Sequence, residues 1–273
     1  MQAVQVNADD DDEEDQGRGA ANVGDDGDDG RRSPDRERPV SPRSGHRSRD
    51  GGRGENRWPP SIAVVAAAWL YALLPGALLL GPRLLVPSLE VVLLVALIAT
   101  NPVRLTRQTK ISRIASVVLA AITAAANLGA LGLLINQLVA SSVSNGKGLL
   151  LAALQVWVTN VIAFGLIYWE LDRGGPVART QLTRNEIPVA DLRFSHDEDR
   201  DTVVEVSRGS SKVADWMPTF VDYFYLSVTN SSAFGPTDTM PLSSRFKILM
   251  AVQATAALLT SLLVIARAVG ALT

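Results

Sequence analysis

Apolar runs of membrane-spanning length alternate with polar connections through most of this chain, and that alternation predicts a helical bundle. The first run covers 61–80. Trp58 precedes it where interfacial aromatics collect, and Pro75 and Gly76 near its far end predict a kink. Gly81-Pro82-Arg83 turns the chain into a second span over 84–100, which stops at Asn101-Pro102. Residues 114–139 form an Ala- and Gly-rich third span, whose small side chains let helices approach closely and whose Asn127 suits an interhelical hydrogen bond. A Ser/Gly turn at 141–148 leads to a fourth span over 149–169. It gathers Gln155, Thr159 and Asn160 near one helical face and ends at Tyr168 and Trp169. A final span occupies 246–269, with Arg245 and Lys247 at its start.

Residues 217–235 fit none of these patterns, since Asp222, Asn230 and several hydroxyls make them a poor helix for lipid. They must face protein or water, either as a polar span or as a half-helix ended by Gly235-Pro236. The fold class expected is therefore an all-α membrane protein of five to six transmembrane helices. Six crossings put both termini on one side and are the arrangement the sequence favours; five with a re-entrant half-helix put them on opposite sides. The polar loop 170–216 opens with the helix end W-E-L-D-R-G-G-P. Alternation at 192–195 and 202–206 around H-D-E-D-R-D predicts a small β-hairpin. Its acids lack the Gly and the terminal Glu of a calcium loop and read as a solvated turn.

Composition sharpens the division. The chain is 47% apolar and 20% charged, which looks soluble on average, but between residues 61 and 169 only Arg83, Glu90, Arg104, Arg107, Lys110, Arg113 and Lys147 are charged. Residues 1–58 form a disordered tail, acidic up to Gly30 and Arg-rich over 31–57. Its two halves are suited to partial mutual attraction, and the Arg-rich half also to anionic lipid headgroups. Four regions follow: the tail 1–58, a four-span bundle 59–169, a polar loop 170–216, and 217–273 with the polar helix, the Gly-Pro break and the last span. The basic loop 103–113 carries no acid, which by the positive-inside rule places it, the N-terminus and the loop 170–216 in the cytoplasm of a cell with this plasma-membrane protein.

Candidate chemistry is sparse. Cysteine is absent and the two histidines, His46 and His196, lie in polar sequence, so disulfides, thiolate metal sites and a Ser-His-Asp arrangement lack parts. No cofactor or enzymatic activity is expected, and the net charge of −2 points to no nucleic-acid partner. Glu90 needs company, because a lipid-facing charge costs about 3 kcal/mol. A protonated carboxyl, or an interfacial one that reaches the headgroups or pairs with Arg83, would satisfy it, and an ion or proton pathway is the alternative.

The most specific stretch is 222–242, D-Y-F-Y-L-S-V-T-N-S-S-A-F-G-P-T-D-T-M-P-L. It resembles the hallmark of a family of uncharacterised bacterial integral membrane proteins sharing D-Y-x-Y-x-S, T-N-x-S/T-A-F and P-T-D. The likeness extends to 87–90, to N-P-V-R-L-T-R at 101–107 and to W-E-L-D-R-G-G-P at 169–176. The family implies no established activity. More remotely the stretch is similar to the pore-loop hairpin of tetrameric cation channels, with Tyr223, Tyr225 and 227–229 in the pore helix, 232–235 at the filter and Asp238 after it. Pro236 stands where a filter glycine would be, and its fixed φ excludes that conformation, so potassium selectivity of that kind is not implied. The resulting expectation is a channel-like or transporter-like protein whose polar pathway is lined by Asp222, Tyr223, Tyr225, Thr229, Asn230, Gly235, Pro236, Thr237 and Asp238. A channel ring would need a homo-oligomer. The alternative is a structural or interaction protein in which the same segment only packs helices together.

Overall fold

The computed structural model describes residues 54–100, 104–105, 109–140, 146–198, 203–232 and 238–270. The tail up to residue 53, the turn at 141–145, and Gly235, Pro236 and Thr237 lie outside them. In chain order the elements are β1 (Glu55–Asn56), α1 (Trp58–Ala72), α2 (Leu85–Thr100), β2 (Arg104–Leu105), α3 (Lys110–Ala140) and α4 (Gly146–Leu171). They continue with α5 (Pro176–Gln181), β3 (Leu192–Phe194), α6 (Val204–Ser207), α7 (Ser211–Ala214), α8 (Phe220–Ser231), β4 (Thr239–Pro241) and α9 (Ser244–Gly270).

Three helical stretches, Lys110–Leu138, Gly148–Gly174 and Ser244–Ala266, are long and apolar enough to cross a membrane; Trp58–Ala72 and Leu85–Ala99 are shorter apolar helices. The chain is thus a mostly helical protein whose apolar helices are compatible with a membrane location. The first expected span, 61–80, is helical only to Ala72. Pro75 follows, a 3₁₀ turn covers Gly76–Leu78, and the Tyr71 hydroxyl accepts from Leu80 N at 3.1 Å to close the irregular stretch.

One end of the bundle is defined by charged and aromatic groups. There Glu55 Oε1 accepts from Trp169 Nε1 at the end of α4 (2.9 Å) and from Phe220 N at the start of α8 (2.6 Å). Ser116 on α3 donates to Glu170 Oε2 at 2.9 Å. At the opposite end, Tyr71, Leu78, Leu134 and Ala152 pack in a separate apolar cluster. The helices α1, α2, α3 and α4 therefore run alternately between the two ends. The folded part begins before Trp58: β1 pairs with β2, and the buried Arg57 donates to Leu97 O at 2.6 Å, so these residues are not tail.

The helix α8 has twelve residues and is about 18 Å long, short of the roughly 30 Å bilayer core. It starts at the charged end and runs antiparallel along α4, where Ser227 Oγ donates to Val161 O (2.7 Å) and Trp157 Nε1 to Ser231 O (3.4 Å). It stops about halfway, and by Thr239 the chain is back at the end it started from, where β4 pairs antiparallel with β3 through Leu192↔Pro241, Arg193↔Met240 and Phe194↔Thr239. A full crossing of 217–235 is not what these contacts describe. From there α9 runs the length of the bundle, with Phe246 against Tyr168 near its start and Ala256 in the opposite apolar cluster.

The hairpin expected within 170–216 is corrected in the same way. The strand at 192–194 forms, but its partner is β4 from beyond the half-helix, and Val204–Ser207 is a helical turn. Strands of two or three residues are chosen by what lies beside them, and alternation over so short a stretch specifies little.

Candidate functional site

The polar residues of α8 divide by face. Asp222 caps the helix: its Oδ2 accepts from Thr219 N at 2.7 Å and from Thr219 Oγ1 at 2.9 Å, a reciprocal capping box outside the interior. Tyr225 is 53% exposed on the outer face of the chain beside Val221. Thr229 donates to its own helix at Leu226 O (2.9 Å). Asp238 is exposed where the chain re-emerges. Among the described residues of that segment, Asp222 caps the start of α8 and Tyr225 lies on its outer side, whereas Tyr223 and Asn230 are buried on its inner side.

The inner face is a hydrogen-bonded seam centred on Gln253 of α9, which is fully buried. Its Oε1 accepts from Tyr168 Oη (2.7 Å) and Asn230 Nδ2 (2.8 Å). Its Nε2 donates to Ser227 Oγ (2.6 Å), Ser231 Oγ (2.8 Å) and Ser227 O (3.0 Å). Asn230 Nδ2 also reaches Met250 O at 3.0 Å. A close approach of backbones permits this: a Cβ on Gly165 of α4 would lie 3.4 Å from Phe224 Cα. The seam holds three helices together and fixes the depth at which α8 ends.

At the charged end, Asp172 and Arg173 organise the loop. Asp172 Oδ1 accepts from Asp191 N (2.8 Å), its Oδ2 accepts from the Tyr223 hydroxyl (2.6 Å), and both side chains are fully buried. Arg173 adopts the left-handed region, φ 51°, ahead of Gly174 and Gly175 at φ 77° and 91°. That conformation is costly for a long side chain, and it delivers the guanidinium to Asp172, Asp197 and Leu192 O. Arg245 pairs with Asp191 and ties the start of α9 to the same knot. Arg179, fully buried, lies over the Tyr223 ring at 4.8 Å and donates to Trp169 O (2.8 Å) and Asp172 O (2.9 Å). Burial pushes the Glu55 carboxyl above its ordinary value, against the pull of Arg179 and the hydrogen bonds from Phe220 and Trp169.

Two cavities flank this knot. One, about 60 Å³, lies between α1, α2, α3 and α4, walled by Val64, Leu94, Leu119 and Leu166 with Arg57 and Glu170 at its polar side. The other, about 380 Å³, opens beside the loop at Arg173, Arg184, Arg193 and Met217. Its arginines face Asp197, Asp215 and Glu198, so it offers no unopposed positive charge. Among the described residues no group of three or more His, Cys, Asp or Glu side chains is placed to hold a metal ion.

Glu90 is 2% exposed on α2, and its Oε1 accepts from Thr123 Oγ1 of α3 at 2.7 Å. Arg83 is elsewhere, donating to Ala72 O at 2.7 Å, so the pairing expected between them gives way to one with a neighbouring helix. Asn127 makes the expected interhelical bond, donating from Nδ2 to Val156 O of α4 at 2.7 Å. Gln253, Asp172 and Arg179 were not among the residues singled out in the sequence, and Tyr168, read there as an interfacial aromatic, is fully buried instead. For Gln253 a signal existed, as an amide inside an otherwise apolar span.

No protein-family model matches the chain, and no curated protein or solved structure matches it either. Its functional reading therefore stands on geometry.

Proposed function

We propose that this chain is an integral plasma-membrane protein of five crossings plus one re-entrant half-helix, in which residues 231–238 line a polar pathway for a cation in a homo-oligomer. The carrying observation is the course of α8. It enters and the chain returns at one end of the bundle, and its C-terminal carbonyls stop midway along α4. A helix C-terminus carries partial negative charge, and membrane proteins use such ends to hold cations away from water. One copy supplies one half-helix, so a ring needs several. The faces of α8 and α9 bearing Val221, Tyr225, Ile248 and Val252 are exposed in the single chain and suit contact with further copies. The basic residues at the charged end support a cytoplasmic N-terminus, with the half-helix entering from the cytoplasm. Membership of the family sharing D-Y-x-Y-x-S and P-T-D is part of this proposal, on the order of its sequence blocks.

Protein reconstituted in liposomes should pass a monovalent cation, and Asp238→Asn should alter that flux. Vesicles that stay tight to every ion tested would remove the pathway. The second reading, a structural or interaction protein, draws on the seam: Asn230, Ser227, Ser231, Tyr168 and Gln253 already satisfy one another. Tight vesicles together with strong destabilisation by seam substitutions would favour it.

A further inference from the structure

Among the described residues of the bundle, Glu90 is a buried carboxylate without an ion-pair partner. It is the only Asp, Glu, Lys, Arg or His side chain of α2, and α1 has none, its one titratable group being the phenol of Tyr71. On α3, the other helix packed against α2, the charged residues are Lys110 and Arg113 in the first turn. Arg113 lies ten positions, or about 15 Å, before Thr123, and it is engaged with Gly174 O. Arg83, on the other side, is engaged with Ala72 O. No cationic side chain therefore accompanies Glu90 from α1, α2 or α3 where they pack together.

Its hydrogen bonding is also incomplete. Oε1 receives the Thr123 hydroxyl, whereas Oε2 is buried without a partner. One turn along α3 on the same face, Asn127 Oδ1 is a second buried oxygen without a donor, its amide being turned to Val156 O. Buried oxygens without partners are rare and costly, and a carboxylate in such a place needs one positive charge beside it.

We propose that Glu90, Thr123 and Asn127 form a binding site for one monovalent cation inside the bundle. The donors are all oxygen, a carboxylate, a hydroxyl and an amide carbonyl, which suits a hard ion or a proton and excludes soft metals. A single positive charge neutralises the site, whether it is a proton on Oε2 or an alkali ion between the oxygens. The inference rests on the membrane-spanning reading but not on a pathway at 231–238, so a failure of cation flux in liposomes leaves it untouched.

Dicyclohexylcarbodiimide tests it on the full chain. The reagent partitions into apolar surroundings and reacts with a protonated carboxyl: the carboxyl proton passes to a reagent nitrogen, and the carboxylate oxygen bonds to its central carbon. The adduct is located at Glu90 by mass spectrometry, with Glu90→Gln as the unlabelled control and thermal unfolding as the check on folding. Labelling that slows several-fold as pH rises, with sodium without effect, assigns the site to a proton. Labelling that slows several-fold when sodium chloride replaces choline chloride at one pH assigns it to an alkali ion. In the alkali-ion case Asn127→Leu should weaken the protection by sodium, and in the proton case it should shift the pH at which labelling slows, while leaving Glu90 reactive. A folded protein whose Glu90 is never labelled, or is labelled at a rate indifferent to both pH and sodium, overturns the proposal.

Discussion

The hydroxyl of Tyr223 donates to Asp172 Oδ2 at 2.6 Å with both side chains wholly out of solvent, joining the half-helix to the end of α4. The phenol ring is held separately, edge-on to Phe194 at 5.4 Å, so Tyr223→Phe removes the bond and spares the packing. A buried acceptor left short costs about 1–3 kcal/mol. Thermal unfolding in detergent should show a lower Tm by that measure, and an unchanged Tm would mean the bond holds nothing.

Asn230 and Gln253 should be energetically coupled. A double-mutant cycle with Asn230→Ala and Gln253→Ala is expected to return about 0.5–2 kcal/mol, the range of hydrogen bonds between helices in membranes. Additive effects of the two substitutions would dissolve the seam as a unit.

Gly165 separates two outcomes by size. Alanine places its Cβ at ordinary contact distance, 3.4 Å from Phe224 Cα, and should be tolerated. Leucine must push α8 off α4, so Gly165→Leu should expose the half-helix to proteolysis from the charged end while Gly165→Ala does not.

Asp197 makes the loop acid-sensitive. Burial raises its carboxyl, but the Ser211 hydroxyl at 2.6 Å, the charge and hydrogen bond of Arg173 and the Phe194 amide at 3.0 Å outweigh it and hold the group below its ordinary value. A carboxylate with a depressed folded pKa contributes stability above its unfolded value, near 3.9, and loses it as pH falls through the folded one. Unfolding followed from neutral to acid pH should therefore steepen at the acid end for the wild type and flatten for Asp197→Asn.

The proposed half-helix arrangement makes a testable statement about the side of the C-terminus. On the proposed five crossings from a cytoplasmic N-terminus, a reporter active only outside should report when fused after Thr273. A cytoplasmic signal there would restore the six-crossing arrangement.

The apolar helices were legible in the sequence because each needs a long run that nothing else explains: the spans expected at 84–100, 114–139 and 246–269 lie within a few residues of α2, α3 and α9. Their polar contacts were legible where a side chain had no outlet but a neighbour, as for Asn127. Illegible were the contacts that depend on how far a helix goes. The length of α8 is set by Gln253 and Gly165, which come from other helices, and no local pattern in 217–235 encodes either. The knot at Asp172 was hidden for a related reason: its arginine sits in a backbone conformation that sequence assigns to glycine.

The pairing of β3 with β4 has a mechanical consequence. The loop before α8 holds the start of the helix through Asp172 and Tyr223, and it holds β4, beyond the helix, through the ladder from Leu192 to Phe194. Entry and exit are fastened to one handle. The two ends of the segment therefore cannot move independently of each other or of the loop.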